Sequence, residues 1–149
     1  MPSWMEPAGN LSVKLNGVEY ASGKPGTILA INRHWSRNDI LSFELPEVMT
    51  LSLYTGIDQI AGHQRYALKV GPIVMACTSA SIGVIPSKTN APIIPFVPRN
   101  DTIREWLLPI PGKPLNFEVK GNPKLQFVPL WELPSAQRFT IYPIFTAHA

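Results

Sequence analysis

Apolar and polar residues alternate in short segments along most of this chain, and a period of two is typical of half-buried β-strands. The segments with this pattern, or with a short apolar run, are residues 11–15, 27–35, 41–45, 49–53, 66–70, 73–77, 115–119, 125–130 and 139–145. About ten short strands, spaced roughly 8–12 residues apart and separated by turns, favour a sandwich or barrel. The sequence therefore predicts an all-β fold, an antiparallel β-sandwich of jelly-roll type.

One segment departs from this pattern. Thr102 is followed three residues later by Glu105, which is the spacing of a capping box at the start of a helix, and Pro109 ends the run. We therefore expect at most one short helix, near Thr102 to Leu107.

Two turns are marked by their residue types. Asn16-Gly17 follows the first alternating segment, and both residues tolerate positive φ, so a hairpin is predicted there. Gly71-Pro72 interrupts an otherwise strand-like stretch, which predicts a bulge or a bend because proline donates no hydrogen bond to a sheet. The prolines between Ile85 and Asn100 predict a long irregular segment.

Composition narrows the fold further. The chain has 149 residues, 45% of them hydrophobic and only 15% charged, so it has enough apolar side chain to build a core. Its 16 prolines are about 11% of the chain, roughly twice the usual share, and they exclude a bundle of long helices. No repeat, linker or low-complexity tract divides the sequence. It predicts a single domain over residues 1–149.

Charge and cysteine usage exclude several classes of protein. The net charge is +3 and the basic residues are scattered, with the densest group at Arg33, His34 and Arg37, whereas nucleic-acid binding needs a concentrated patch. We therefore expect no nucleic-acid partner. We also expect no membrane segment, since no leader and no long apolar run is visible. Cys77 is the only cysteine, which is compatible with the cytoplasm but leaves the compartment open.

No pattern of catalytic or metal-binding residues stands out. His34, His63 and His148 lack the spacing of metal ligands. Glu44 and Glu47 would be the pair to test for glycoside hydrolysis, but a solvated strand edge explains them better. Cys77 ends an apolar run and is expected to be a small buried hydrophobe rather than a nucleophile.

The tryptophans are the remaining candidates. Trp35 shares one face of its predicted strand with Leu29 and Ile31, which favours the core. Trp106 and Trp131 lie beside proline-rich loop sequence, and the pattern leaves open whether they are buried or exposed. Exposed, either ring would be a carbohydrate or interface contact.

Several motifs together carry a family resemblance, and they occur in the same order as in that family. They are Pro2-Ser3-Trp4, Leu15-Asn16-Gly17, Pro25-Gly26, Ile31-Asn32-Arg33-His34-Trp35, Asn38-Asp39, Arg65-Tyr66-Ala67-Leu68, Gly71-Pro72-Ile73-Val74, Phe127-Val128-Pro129-Leu130-Trp131 and Arg138-Phe139-Thr140-Ile141-Tyr142. In this order they resemble the β-sandwich region that follows the catalytic helical barrel in glycoside hydrolase family 127, the β-L-arabinofuranosidase-like proteins. Two positions depart from the pattern, Ile28 or Leu29 where an aromatic is usual, and Asn38 where glycine is usual.

The resemblance implies a part rather than an enzyme. In that family the cysteines and glutamates of the active site belong to the barrel, and nothing in this chain matches them. The resemblance therefore implies no catalytic, cofactor-binding or metal-binding residue in this chain. It implies a non-catalytic accessory domain that packs against a catalytic helical barrel, in the same protein or in a separate one, and that self-associates through an exposed apolar patch when alone. The alternative is a carbohydrate-binding module that uses Trp106 or Trp131.

Overall fold

β-Strands dominate the computed structural model, which describes residues 1–79 and 93–145. Those residues form twelve strands in two sheets. The strands are β1 (Leu11–Leu15), β2 (Val18–Gly23), β3 (Leu41–Phe43), β4 (Met49–Leu53), β5 (Gln64–Val70), β6 (Ile73–Ser79), β7 (Ile93–Ile94), β8 (Leu107–Pro109), β9 (Phe117–Val119), β10 (Asn122–Pro129), β11 (Phe139–Thr140) and β12 (Ile144–Phe145). One four-residue helix, α1 (Ile103–Trp106), and two 3-10 helices, Ser3–Ala8 and Leu130–Glu132, complete the elements. The all-β prediction is confirmed.

The chain divides into two compact units, an N-terminal unit, Met1–Val48, and a C-terminal unit, Met49–Ala149. Each holds one of the two sheets, three strands in the first and nine in the second. The assignment of residues 1–149 to one domain stays a prediction.

The three-stranded sheet of the N-terminal unit has the order β2-β1-β3 and is antiparallel throughout. The predicted hairpin is present: Leu15 pairs with Val18, and the two turn residues Asn16 and Gly17 have φ values of 51° and 82°. Both values are positive, as a two-residue turn requires when it follows the twist of its strands. The same pair of strands contains a bulge, because the pairing shifts between Val13 and Lys14 and leaves Tyr20 without a direct partner.

Two expectations for the N-terminal unit are wrong. Residues 27–35 form no strand, although their side chains alternate. The strand predicted at 41–45 ends at Phe43. Local alternation is a weak signal without a partner strand, because strand stability depends on neighbouring side chains and on burial.

The nine-stranded sheet of the C-terminal unit folds over one core. Its main path is β7-β12-β5-β6-β10-β9-β8, with β4 paired to β5 and β11 paired to β6. Trp106 lies in the middle of that core, 5.7 Å from the ring of Phe145 on β12 and 6.3 Å from the ring of Phe127 on β10. Strands from both halves of the sheet therefore pack against the same side chain, which gives this unit its sandwich-like character.

Turns and element ends in the C-terminal unit refine the predictions. Gly71-Pro72 forms a two-residue hairpin turn between Val70 and Ile73, with Gly71 at a φ of 57°, rather than a bulge. The helix begins after Thr102 as expected, but the Thr102 hydroxyl donates to the carbonyl oxygen of Arg99 and forms no cap.

Three predicted segments end differently in this unit. The segment predicted at 115–119 pairs only from Phe117 onward. Residues 139–145 form two short strands instead of one. The irregular segment predicted between Ile85 and Asn100 lies partly outside the described residues, and its described part includes β7.

Candidate functional site

Trp106 is a core residue, so the prediction that it contacts carbohydrate or a partner is wrong. It is 2% exposed, and its ring stacks on Phe96 at 5.7 Å with an interplanar angle of 14°. The spacing of apolar residues could have indicated this burial. Ile103 precedes Trp106 by three residues, Leu107 follows it, and both are buried. Apolar residues at helical spacing indicate a core-facing stripe.

Trp131 lies at the surface, in the 3-10 helix Leu130–Glu132, and is 66% exposed. Its ring has the exposure that stacking on a sugar or a partner side chain requires. Its role as a contact stays a prediction.

Trp35 is 52% exposed, which corrects its assignment to the core. The segment that carries Trp35 forms no strand, so Trp35 does not lie on a sheet face that packs against a core. Its ring instead lies against Arg33, whose guanidinium carbon is 5.3 Å from the Trp35 ring centroid and 5.7 Å from that of Tyr20. The guanidinium between two aromatic rings is a cation–π arrangement.

Asp39 fixes this arginine in place. Its carboxylate lies 3.0 Å from the Arg33 guanidinium and accepts hydrogen bonds from the Ser36 backbone N–H at 2.8 Å and from the Asn16 side chain at 3.0 Å. The Ser36 N–H first, and then Asn16 and Arg33, hold the pKa of Asp39 below its usual value of 3.8. Asn16 also accepts from the Ile40 N–H, so the hairpin turn is tied to this cluster.

An apolar row crosses the three-stranded sheet. Leu15 pairs with both Val18 and Leu41, and the neighbouring Val13 pairs with Phe43, so these side chains share one face. Val13 is buried, but Val18, Leu41 and Phe43 are exposed, and Phe43 is 53% exposed. We call Val18, Leu41 and Phe43 the apolar row. The exposed surface of the apolar row belongs to its side chains and not to the backbone at the edges of the sheet.

Cys77 and the possible metal ligands are the candidate groups for covalent or metal chemistry within the described parts of the chain. Cys77 is fully buried on β6, and burial raises the pKa of its thiol, which keeps it protonated. Residues 1–79 and 93–145 contain no group of three or more His, Cys, Asp or Glu side chains that could hold a metal ion. No helix in these ranges is long and apolar enough to cross a membrane.

A polar cavity of about 510 Å³ lies in the C-terminal unit. Thr78 on β6 and Gln126 on β10 pair directly and line it, while Cys77 and Phe127, which pair one position away, point to the core side of the same strands. Its other polar lining residues are Lys113, Asn116, Glu132 and Gln137. The cavity therefore lies on the opposite face of the sheet from the core.

Asn116 is the most constrained of these side chains. It is the buried polar residue of the described core, 6% exposed, and its Nδ2 donates to Glu132 Oε2 at 2.7 Å and to the Pro114 carbonyl at 3.0 Å. The preceding Leu115 has a φ of 58°, in the left-handed region that non-glycine residues rarely adopt. Sequence reasoning missed this site because Thr78, the turn around Asn116 and the segment after Glu132 are far apart in the chain and meet only in the fold.

Comparisons with family models, with curated proteins and with solved structures give no match. The resemblance to glycoside hydrolase family 127 therefore stays a prediction.

Proposed function

We propose that this chain is a non-catalytic accessory β-sandwich domain of a glycoside-hydrolase-like protein, and that it packs against a catalytic helical barrel. The observation that carries the proposal is the apolar row on the three-stranded sheet. Three apolar side chains exposed on one sheet face favour burial against a partner, since removing apolar surface from water is the main driving force of association.

The cluster beside the hairpin supports the same proposal. Tyr, Trp and Arg are the residue types most enriched among those that dominate binding energy at interfaces. Tyr20, Arg33 and Trp35 supply one of each, and Asp39 holds the arginine in a fixed geometry. A side chain already fixed loses little conformational entropy on docking.

The test is complex formation with the separately produced helical barrel of a family 127 glycoside hydrolase, measured by sedimentation velocity. We expect a complex that Phe43→Glu weakens at least about tenfold, because the substitution places a charge on the buried face. Phe139→Glu is the matched control, since Phe139 is 51% exposed but lies in the C-terminal unit. Equal effects of both substitutions, or no complex at all, would contradict the proposal.

The same substitutions test self-association of the chain alone. We expect the isolated chain to associate at high concentration and Phe43→Glu to return it to a monomer, because the apolar row would then be the shared contact. A monomer at every concentration would count against an exposed docking face.

Sequencing the transcript upstream of the Met1 codon tests whether the barrel is encoded in the same transcript. Coding sequence for a helical barrel is the supporting result.

Carbohydrate binding is the second candidate function. The exposure of Trp131 favours it, because an exposed indole face stacks on the C–H face of a sugar ring. Titration with arabinose-containing oligosaccharides tests it, with Trp131→Ala as the variant expected to lose binding.

A further inference from the structure

We propose that the polar cavity of the C-terminal unit binds a neutral, polyhydroxylated ligand, a mono- or disaccharide. The proposal rests on the second candidate function, carbohydrate binding, but assigns the sugar to the cavity instead of the Trp131 ring, and it is independent of docking to a barrel. It begins from the hydrogen-bonding capacity of the cavity wall.

Three side-chain amides in the wall are each held by hydrogen bonds that they donate to the protein. Asn116 donates to Glu132 and Pro114, Gln126 donates to the Pro123 carbonyl at 3.0 Å, and Gln137 donates to the Arg138 carbonyl at 3.0 Å. Among the described residues, none donates a hydrogen bond to the carbonyl oxygens of these three amides. The wall therefore offers these carbonyl oxygens as acceptors and the second N–H of Gln126 and of Gln137 as donors. Both match a ligand whose hydroxyl groups donate and accept.

Charge selects a neutral ligand. Lys113 and Glu132 carry opposite charges in the same lining, and neither forms an ion pair with another described residue. An anion would meet the like charge of Glu132 and a cation would meet the like charge of Lys113, so neither sign of charge is favoured by both residues. A hydroxyl group both donates and accepts, and it satisfies both sides of the wall.

The remaining lining and the size fit the same class. Val128, Leu133, Pro114 and Pro134 supply apolar wall, suited to the C–H faces of a sugar ring. A volume of about 510 Å³ lies within the usual range for small-ligand sites, roughly 300–1,000 Å³.

The turn that carries Asn116 is built to hold the site in advance. Within it the Ile110 N–H donates to the Asn116 carbonyl at 2.9 Å and the Asn116 N–H donates to the Lys113 carbonyl at 3.2 Å. Leu115 adopts its positive φ between these bonds, and such strain persists where surrounding contacts over-determine it. The Asn116 amide is therefore fixed before any ligand arrives, which lowers the entropy cost of binding.

The experiment is a titration of the full ¹⁵N-labelled chain with L-arabinose, D-galactose and xylobiose, followed by NMR. We expect the side-chain amide signals of Gln126 and Gln137 to shift, with Kd values on the order of 1 mM for at least one sugar. Glu132→Gln keeps an acceptor for Asn116 but removes the charge, and Gln137→Ala removes one carbonyl oxygen. We expect each to weaken binding about tenfold, whereas Glu105→Gln on α1, outside the cavity, leaves it unchanged.

Three results would overturn the proposal. One is no shift of the Gln126 and Gln137 signals with any sugar. A second is binding lost in Trp131→Ala but retained in Glu132→Gln and Gln137→Ala, which would assign the sugar to the exposed ring instead. A third is tighter binding of D-glucuronate than of D-galactose, which would exclude a site for neutral ligands. None of them bears on complex formation with a barrel, so failure of this proposal and failure of the accessory function remain distinguishable.

Discussion

The two units of this chain use apolar side chains in opposite ways. In the C-terminal unit thirteen buried residues form one core around Trp106. In the N-terminal unit the buried hydrophobic side chains among the described residues are Met5, Leu11 and Val13, while the apolar row on the same sheet is exposed. The C-terminal unit is therefore stabilised chiefly by burial, and the N-terminal unit depends more on turns and polar contacts. The difference shows where apolar surface is left for a partner.

The largest expected effect contrasts two tryptophans, one from each unit. Trp106→Ala should lower the free energy of unfolding by about 3–5 kcal/mol, because it leaves a large cavity in the core. Trp35→Ala should cost less than about 1 kcal/mol, since the exposed ring loses mainly its contact with Arg33. Denaturant unfolding followed by circular dichroism measures both. Equal losses would remove the contrast between the units.

The next effect concerns the hairpin turn of the N-terminal unit. Asn16→Ala should cost about 2 kcal/mol, because alanine disfavours the positive φ and the hydrogen bonds to Asp39 and Ile40 are lost. Asn16→Gly is the matched control, since glycine accepts that φ, and it should cost about 1 kcal/mol less than alanine. The same unfolding experiment applies, and alanine equal to glycine would mean that the turn conformation contributes little.

A smaller effect tests backbone strain in the C-terminal unit. Substituting Leu115 removes packing against the core in either case, but glycine tolerates its φ of 58° and alanine does not. We expect Leu115→Gly to be more stable than Leu115→Ala by about 1 kcal/mol, the reverse of the usual order. Thermal unfolding of the two variants decides it, and the usual order would show that the turn relaxes.

The smallest effect appears only in acid. The lowered pKa of Asp39 means that its charged form stabilises the fold above pH 3.8, and this contribution is lost as the pH falls through the lowered pKa. Asp39→Asn should therefore flatten the acid dependence of stability below about pH 4. Asp101→Asn is the comparison, since the pKa of Asp101 is also lowered, by Arg99, but that pair is exposed at the surface. An unchanged acid profile in Asp39→Asn would contradict the account.

The sequence predicted those features of the structure that depend on residues close together in the chain. Asn16-Gly17 predicted its hairpin because two adjacent residues set the turn, and Cys77 predicted its burial because it ends an apolar run. Trp35 was misassigned to the core, and the burial of Trp106 stayed open, because exposure depends on which segments pack together in the fold. The polar cavity was missed for the same reason, since Thr78 and Gln126 are neighbours only through the β6–β10 register.

The buried thiol of Cys77 offers a reporter built into the chain. Because the thiolate is the reactive form and the folded state keeps this group protonated and out of solvent, an alkylating reagent can reach it only when β6 separates from its neighbours. The rate of labelling at neutral pH would then measure how often the C-terminal unit opens, without any probe being added to the sequence. We expect Trp106→Ala to accelerate labelling and Trp35→Ala to leave the labelling rate unchanged. That result would show that the opening motion involves the core around Trp106.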